Sequence, residues 1–406
     1  MASISAVLIV KNEAARLARC LEALRSVADE IVVVDTGSTD ATEAVARAFT
    51  SRVYCFAWRD DFAAARNAAL AHATGDWVLS IDADEVVDAP EDARTLLLSF
   101  AAANDPTAVG TIEVLSPTGP EDDAPASRDH LERFFRRGAY RFAGAIHEQL
   151  VPTGGGAKRA ASTGVRAYHH GYAQSQDAPD HKALRNLPLL LRELEAQPED
   201  EYLIHQLGKA YYTLGRYAEA AHAFERALDA VRFTPGGAPE GRFGPVSRAV
   251  TTDLVVTLAY AYVNVGQTTR ALRLLETHAA IDHPGTRRAD FAHVLGYVHL
   301  MLGHVAEAKA AYDKSLEYGA ACEDVLGTGT FSSEYHLGLL SEAEGDLAAA
   351  WEHYQTSLRH KPDYRPTLAR CIDLAAERHA PLPHAIIAAA DPTALERVRA
   401  EKARRR

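Results

Sequence analysis

Residues 77–85 read WVLSIDADE, an apolar run that ends in three acidic side chains. A continuous apolar run of this kind is typical of a strand that is covered on both faces in a parallel sheet. Such sheets bind their ligands beyond the carboxyl ends of the strands. Because side chains alternate along a strand, we expect Asp82 and Asp84 to point to the same side. Two carboxylates so placed suit Mg²⁺ or Mn²⁺, and an acidic turn after a strand is the alternative.

The chain has 406 residues, which is enough for two or three domains with their own cores. Hydrophobic residues make up 47% and charged residues 24% of the sequence, as is typical of soluble globular proteins. The formal net charge of −12 argues against a general nucleic-acid binder. We interpret the basic residues at 402–406 as a solvated tail.

The four cysteines are far apart and form no C-x-x-C pair, so they indicate neither a zinc site nor a disulfide framework. This pattern fits a reducing compartment, and we expect a cytoplasmic protein. The chain enters a strand pattern almost at once, so we expect no signal peptide. No apolar run reaches the 18 residues that a membrane span needs.

The residues before the acidic stretch alternate between strand and helix patterns. Residues 4–10, 31–34 and 53–56 predict three strands, and leucines at helical spacing in residues 17–24 predict an amphipathic helix between the first two. Gly37 permits a tight turn after the second strand. The alternation predicts a right-handed, parallel α/β sheet.

Arg66 lies in the first two turns of the predicted helix that leads to the acidic strand. A guanidinium beside helix N-terminal amides can bind a diphosphate, and a surface arginine is the alternative. After the acidic strand we predict a helix at 90–104 and a strand at 109–115. A loop rich in Pro and Asp then extends to residue 129, where it could cover an acceptor.

Four motifs together resemble the family 2 glycosyltransferases, which have the GT-A fold, a Rossmann-like α/β domain that binds nucleotide sugars. They are residues 7–12, residues 31–40 (IVVVDTGSTD), the Ala-Arg-Asn element at Arg66 and residues 81–84. The resemblance covers residues 1–175. It implies a nucleotide-sugar donor, commonly a UDP-sugar, a Mn²⁺ or Mg²⁺ cofactor, and inversion at the anomeric carbon.

The resemblance also implies roles for individual residues. Asp35 would contact the nucleotide base, Asp82 the ribose, and Asp84 the metal bound to the diphosphate. A sugar-diphosphate leaving group needs its charge neutralised, which a divalent cation and a cation such as Arg66 supply. The donor-binding residues implied in this way are Val10, Asn12, Glu13, Asp35, Arg66, Asp82 and Ala83.

Residues 142–150, FAGAIHEQL, resemble soluble members of the family, including peptide S-glycosyltransferases and transferases of the lipopolysaccharide core, in which His-Glu follows a glycine. We therefore predict that Glu148 is the base that takes the acceptor proton. A surface His-Glu pair on a strand is the alternative. Glu132, Asp129 and His147 would be the next candidates for the base.

Residues 168–172, YHHGY, resemble an H-x-G-Y element of the same subgroup. The resemblance makes His169 a metal ligand, because imidazole can complete a carboxylate site. A capping or core histidine is the alternative, and His170 is not excluded as the ligand.

From about residue 180 the sequence predicts helices only. Residues 202–229 fit the tetratricopeptide pattern, which returns at 258–275, 295–316 and 337–358. The turn glycines of these repeats are more than 34 residues apart, so insertions separate the units, and residues 234–244 form the largest one. Stacked repeats leave a concave face free, which could hold a peptide acceptor, a partner enzyme or a second copy of the chain.

These patterns predict a glycosyltransferase domain, a connecting helix, an all-α solenoid of tetratricopeptide-like repeats, and a C-terminal helix with a basic tail. Their predicted bounds are 1–175, 176–200, 201–380 and 381–406. Within them, we predict a lead-in helix at 184–198 and a closing helix at 367–376.

The leading hypothesis is a soluble enzyme that transfers a single sugar to a peptide or protein side chain. A lipopolysaccharide, polysaccharide or small-metabolite acceptor is the alternative, and the chain lacks the Q-x-x-R-W element of processive synthases. A second hypothesis is a non-catalytic, nucleotide-binding repeat scaffold. The intact D-x-D and the candidate base argue against that scaffold, because a degenerate domain could lose both.

Overall fold

The computed structural model describes residues 2–117, 126–156, 158–169, 179–230, 240–241, 244–245, 248–280 and 286–405. The chain divides into two compact units. Among the described residues, the second unit holds 216–230, 248–280 and 286–405, and the first unit holds the rest. His170, part of the predicted acceptor loop and most of the insertion at 234–244 lie outside the described residues.

The first unit contains strands and helices in alternation, as predicted for its beginning. Its elements are β1 (Ile4–Val10), α1 (Leu17–Val27), β2 (Glu30–Asp35), α2 (Thr42–Phe49), β3 (Val53–Cys55), α3 (Phe62–His72), β4 (Trp77–Ser80), β5 (Glu85–Val87), α4 (Pro90–Ala103), β6 (Ala108–Pro117), β7 (Ala126–Arg136), β8 (Tyr140–Ala143), β9 (Gln149–Pro152), β10 (Arg159–His169), α5 (Pro179–Ala196), α6 (Glu201–Thr213), and the two-residue strands β11 (Glu240–Gly241) and β12 (Gly244–Pro245).

Eight strands form one sheet in the order β3-β2-β1-β4-β7-β6-β10-β5. The first four are parallel, as the sequence predicts. The other half is mixed: β7 is antiparallel to β4 and β6, β10 is parallel to β6, and β5 is antiparallel to β10. The parallel arrangement predicted for the alternating strands and helices is therefore confirmed for β1 to β4, and the later strands make the whole sheet mixed.

The central strand β1 is buried on both faces. Ile4, Ala6 and Leu8 belong to one apolar cluster, and Val7 belongs to the cluster on the opposite face. Because side chains alternate along a strand, a strand covered on both sides has mostly apolar residues on both faces. This explains why the β1 sequence is apolar except for Ser5, whose buried hydroxyl donates to Glu30.

The acidic residues after β4 form a turn, because the strand ends at Ser80. The amide of Glu85 donates to the carbonyl oxygen of Asp82 at 3.0 Å, and the amide of Asp82 donates to Oε2 of Glu85 at 3.0 Å. These acidic residues therefore lie in a turn, to which the strand alternation expected for Asp82 and Asp84 does not apply. Since the Glu85 carboxylate captures the Asp82 amide, the chain leaves the strand and re-enters the sheet as β5.

The second unit is helical. Its elements are α7 (Tyr217–Ala230), α8 (Arg248–Asn264), α9 (Thr268–Ala279), α10 (Ala289–Met301), α11 (Val305–Tyr318), a 3₁₀ turn (Ala320–Cys322), α12 (Phe331–Ala343), α13 (Leu347–His360), α14 (Arg365–Glu377), α15 (His384–Ala389) and α16 (Pro392–Arg405). Among the described residues, no helix is long and apolar enough to cross a membrane.

Glycines let neighbouring helices of the repeats approach closely. A Cβ atom added at Gly296 would lie 3.0 Å from the ring of Tyr312, and one added at Gly338 would lie 2.4 Å from the ring of Tyr354. Both tyrosine side chains are fully buried. The structure thus confirms the predicted tetratricopeptide-like region, whereas the predicted domain bounds stay a prediction.

The substitution Gly338→Ala should destabilise the second unit. The Tyr354 ring cannot move away easily, because it is buried and its hydroxyl donates to Glu342 at 2.9 Å. Overpacking costs about 1–3 kcal/mol, which exceeds the roughly 1 kcal/mol that Ala gains over Gly in a helix. We expect a lower Tm in circular dichroism. Gly154→Ala is the control, because its added Cβ meets nothing within 4 Å, and equal Tm values would contradict this account.

Candidate active site

The loops after β1 and β2 are joined by side chains predicted to bind the donor. Asn12 has a positive φ of 56°, and its Oδ1 accepts a hydrogen bond from the Thr39 amide at 2.7 Å. Oδ1 of the buried Asp35 accepts from the amides of Gly37 and Ser38 at 2.8 and 2.7 Å. Within the described part of the chain, Oδ2 of Asp35 makes no hydrogen bond, so it is available to a ligand.

Val10 and Glu13 also lie at this edge of the sheet. The carbonyl oxygen of Val10 accepts from the amide and the hydroxyl of Thr36 at 2.9 and 3.0 Å. The Glu13 side chain pairs with Arg16 at 3.2 Å. Burial and the negative charge of Asp84 raise the pKa of Glu13. This electrostatic contact shows that the loop after β1 and the acidic turn lie close together.

Asp82 lies between two arginines. Its Oδ1 pairs with Nη2 of Arg66 at 2.7 Å, and its Oδ2 pairs with Nη2 of Arg133 at 2.7 Å. Burial alone would raise the pKa of Asp82, but the two guanidiniums outweigh it and hold the pKa well below its usual range. Asp82 is therefore a carboxylate at neutral pH. Ala83, the next residue in the turn, is buried.

Arg66 is fixed by protein side chains. Its Nε donates to Oε1 of Glu148, its Nη1 to the Ser80 hydroxyl at 3.2 Å, and its Nη2 to Asp82. Only 8% of the residue is exposed, so the alternative of a surface arginine was wrong. Each of its three nitrogens already donates a hydrogen bond to a protein side chain. A diphosphate would have to use the remaining N–H groups.

The strand register brings His169 to the acidic turn. Glu85 of β5 is opposite His169 of β10, and Nε2 of His169 lies 3.0 Å from Oδ2 of Asp84. Burial would raise the pKa of Asp84, but its hydrogen bond with His169 lowers the pKa overall. Burial would likewise lower the pKa of His169, and the same bond raises it overall.

This pair fits a small divalent cation. Adjacent ligands of an octahedral ion with bonds of about 2.1 Å are about 3.0 Å apart, which is the separation of the two atoms. Among the described residues, no group of three or more His, Cys, Asp or Glu side chains is placed to hold a metal. The pair would thus be a two-ligand site that substrate phosphates and water complete, as is common for Mg²⁺.

Glu148 lies in the loop of the β8–β9 hairpin, whose ends pair Ala143 with Gln149. Its side chain is only 12% exposed, so the alternative of a surface pair on a strand was wrong. One oxygen accepts from Arg66. Oε2 makes no hydrogen bond in the described part of the chain, and is therefore free to accept a proton.

Asn67 explains why this hairpin lies against α3. Its amide nitrogen donates to the carbonyl of Phe142 at 2.9 Å, and its Oδ1 accepts from the Phe142 amide at 2.9 Å. The amide of Phe62 also donates to the carbonyl of Ala145 at 2.8 Å. The Ala-Arg-Asn element therefore holds the hairpin with Asn67 while the adjacent Arg66 binds Glu148.

The other candidate bases are placed differently. Burial and the positive charges of Lys182 and Lys209 lower the pKa of His147 to about 4, so it is neutral near pH 7. Glu132 pairs with Lys158 at 2.6 Å. Asp129 is exposed on β7 and accepts from the Ser127 hydroxyl at 3.0 Å.

Sequence reasoning missed Arg133 and the role of Glu85. Nη2 of Arg133 donates to Oε1 of Glu85 at 2.9 Å and to Asp82. Arg133 and Glu85 are buried. Leu79 of β4 is opposite Phe134 of β7, so Arg133 lies one residue nearer the acidic turn. The signal in the sequence was an arginine directly before a pair of strand phenylalanines.

Two family models match parts of the chain. The family model for glycosyl transferase family 2 matches residues 5–159, and the model for the tetratricopeptide repeat matches residues 202–231. The chain is 35% identical over 224 residues to a TPR repeat-containing protein of Synechococcus elongatus, covering 51% of this chain and 52% of that protein. It is 25% identical over 224 residues to the glycosyltransferase SunS of Bacillus subtilis, covering 55% of this chain and 52% of SunS.

Among solved structures, glucosyl-3-phosphoglycerate synthase from Mycobacterium tuberculosis, in complex with Mg²⁺ and uridine diphosphate, is 26% identical. The match covers 28% of this chain and 44% of that chain, with a TM-score of 0.25. The chain spans about half the length of the two curated relatives. The resemblance drawn from the motifs is confirmed: residues 5–159 match the model of glycosyl transferase family 2, and residues 202–231 match the model of the tetratricopeptide repeat.

Proposed function

We propose that the chain is a metal-dependent, inverting glycosyltransferase that moves a single sugar from a UDP-sugar to a peptide or protein side chain. The observation that carries the proposal is the link from Asp82 through Arg66 to Glu148. Asp82, the proposed donor-side carboxylate, and Glu148, the proposed base, contact the same guanidinium. Transfer needs the leaving group and the base to be close and oriented before reaction.

On the donor side, the free oxygen of Asp35 would accept from the nucleotide base, and Asp82 would bind the ribose. Asp84 and His169 would hold Mn²⁺ or Mg²⁺, which supplies charge neutralisation for the leaving diphosphate. Val10, Asn12, Glu13 and Ala83 would form the walls around the nucleotide, because they lie at the end of β1, in the loop after it and in the acidic turn.

On the acceptor side, Glu148 would remove the proton of the attacking group. Inversion by direct displacement requires a base opposite the leaving diphosphate, so the base must come from outside the acidic turn. Glu148 meets this requirement because it lies in a separate hairpin. Arg66 would hold Oε1 and leave Oε2 to accept the proton.

A peptide acceptor is supported by the helix that begins the tetratricopeptide match. Nε2 of Gln149 donates to the Tyr202 hydroxyl at 2.9 Å, so this helix touches the hairpin that carries the base. The repeats would bind the acceptor protein or a protein partner. All four cysteines are free thiols, which supports a reducing, cytoplasmic location.

Asp84→Ala should weaken Mn²⁺-dependent UDP binding by more than about 10-fold, because even changes around metal ligands typically cost that much. Isothermal titration calorimetry with UDP and Mn²⁺ measures this effect. Asp88→Ala is the matched control, because Asp88 is exposed four residues further along. Equal UDP affinities for the two variants would exclude Asp84 as a ligand.

Glu148→Gln should lower the transfer rate by about 10²–10⁴-fold, because it removes the base but keeps the shape. The glutamine Oε1 can still accept from Arg66, so UDP affinity should stay near wild type. Mass spectrometry of peptide and glycan pools with a panel of UDP-sugars gives the rate and the acceptor class. Glu132→Gln is the control.

A normal transfer rate in Glu148→Gln with a loss of rate in Glu132→Gln would reassign the base to Glu132. Modification of glycans alone would refute the peptide acceptor.

A further inference from the structure

Five buried or half-buried side chains form a continuous chain of alternating charge. In order they are Glu85, Arg133, Asp82, Arg66 and Glu148, and each contacts the next one through a salt bridge. Three carboxylates and two guanidiniums leave a net charge of −1. The charge chain joins the acidic turn, β7, α3 and the β8–β9 hairpin, which are four separate segments.

Arg133 determines which carboxylate oxygens of the acidic turn are left for the guanidinium of Arg66. It occupies Oδ2 of Asp82 and Oε1 of Glu85, so only Oδ1 of Asp82 is left for Arg66. Without Arg133, the buried carboxylate of Glu85 and the carboxylate of Asp82, whose side chain is 33% exposed, would have Arg66 as their remaining cationic partner among the described residues. Arg66 would then be drawn towards the turn and away from Glu148, because an unpaired buried charge is costly.

The two arginines use their nitrogens differently. Both contacts of Arg133 come from one nitrogen, Nη2, and its buried Nε has no hydrogen-bond partner among the described residues. Arg66 instead uses three nitrogens for three acceptors. A single ammonium group can therefore replace Arg133 in part, and it would remove the unsatisfied Nε–H. It cannot replace Arg66.

We propose that Arg133 is a positioning residue of the transfer reaction. It fixes Asp82 and Glu85 of the acidic turn, and in this way it keeps Arg66 on Glu148 in the hairpin. This inference rests on the proposed function for its catalytic consequence, but the coupling between the acidic turn and the hairpin is a property of the protein alone.

The test compares three variants, Arg133→Met, Arg133→Lys and Arg66→Lys. The control is Arg136→Met, because Arg136 lies on the same strand as Arg133 and its side chain is exposed. With UDP-sugar and acceptor, Arg133→Met should lower kcat more than about 10-fold, as misplacement of catalytic groups does. Arg133→Lys should restore most of that loss, whereas Arg66→Lys should remain low. The double variant Arg133→Met/Glu148→Gln should be slower than the poorer single variant by less than about threefold, because both changes act on one coupled unit.

Hydrogen–deuterium exchange tests the coupling without any ligand. Arg133→Met should speed exchange at residues 82–85 and also at residues 144–148, which Arg133 does not contact, whereas Arg136→Met should change neither segment. Unchanged exchange at 144–148, or equal kcat losses for Arg133→Lys and Arg133→Met, would overturn the proposal.

If Arg133→Met does not fold, the kcat of Arg133→Lys is compared with that of Arg66→Lys, and equal losses of kcat would overturn the proposal. A wild-type chain that neither binds UDP nor transfers sugar would refute the proposed function, while the exchange comparison would still decide the coupling.

Discussion

The buried guanidinium of Arg66 is the constraint on which the candidate site depends. A cation with so little exposure is stable only when acceptors and opposite charges surround it. Its acceptors are Ser80 at the end of β4, Asp82 in the acidic turn and Glu148 in the hairpin. These three segments must therefore keep their relative positions, and the distance between the carboxylates of Asp82 and Glu148 is set by the protein itself.

Three acidic residues in one short turn have three different environments, which explains how a buried strand can end in so much negative charge. Two guanidiniums keep Asp82 ionised, and a hydrogen bond with His169 lowers the pKa of Asp84. Burial raises the pKa of Glu85, even though Arg133 contacts it. Arg66 and Arg133 both contact Asp82, Arg133 also contacts Glu85, and Asp84 pairs with His169, so these partners offset part of the repulsion among the three carboxylates. Among the described residues of the turn, Asp84 is the carboxylate that pairs with a histidine, a side chain that commonly ligates metals.

The sequence predicted what depends on local periodicity: the first strands, the helices between them and the repeats. It also pointed to Glu148 and Arg66 through motifs, although not to their contact, since 82 positions separate them. Arg133 was missed because its pairing with Asp82, 51 positions away, depends on the antiparallel register of β7 on β4. The strand alternation expected for Asp82 and Asp84 does not apply, for a different reason. Alternation assumes that a strand continues, whereas the carboxylate of Glu85 ends it by binding a backbone amide.

The hairpin that carries Glu148 also depends on helices beyond the family 2 match. On one side it is held by α3 through Asn67. The Ala145 amide also donates to Glu193 of α5 at 3.3 Å, and Gln149 donates to Tyr202 of α6. Since α6 lies in the first compact unit and also begins the tetratricopeptide match, the repeat segment starts inside the unit that holds the candidate site. The hairpin that carries Glu148 and the first helix of the tetratricopeptide match are therefore joined by a direct hydrogen bond.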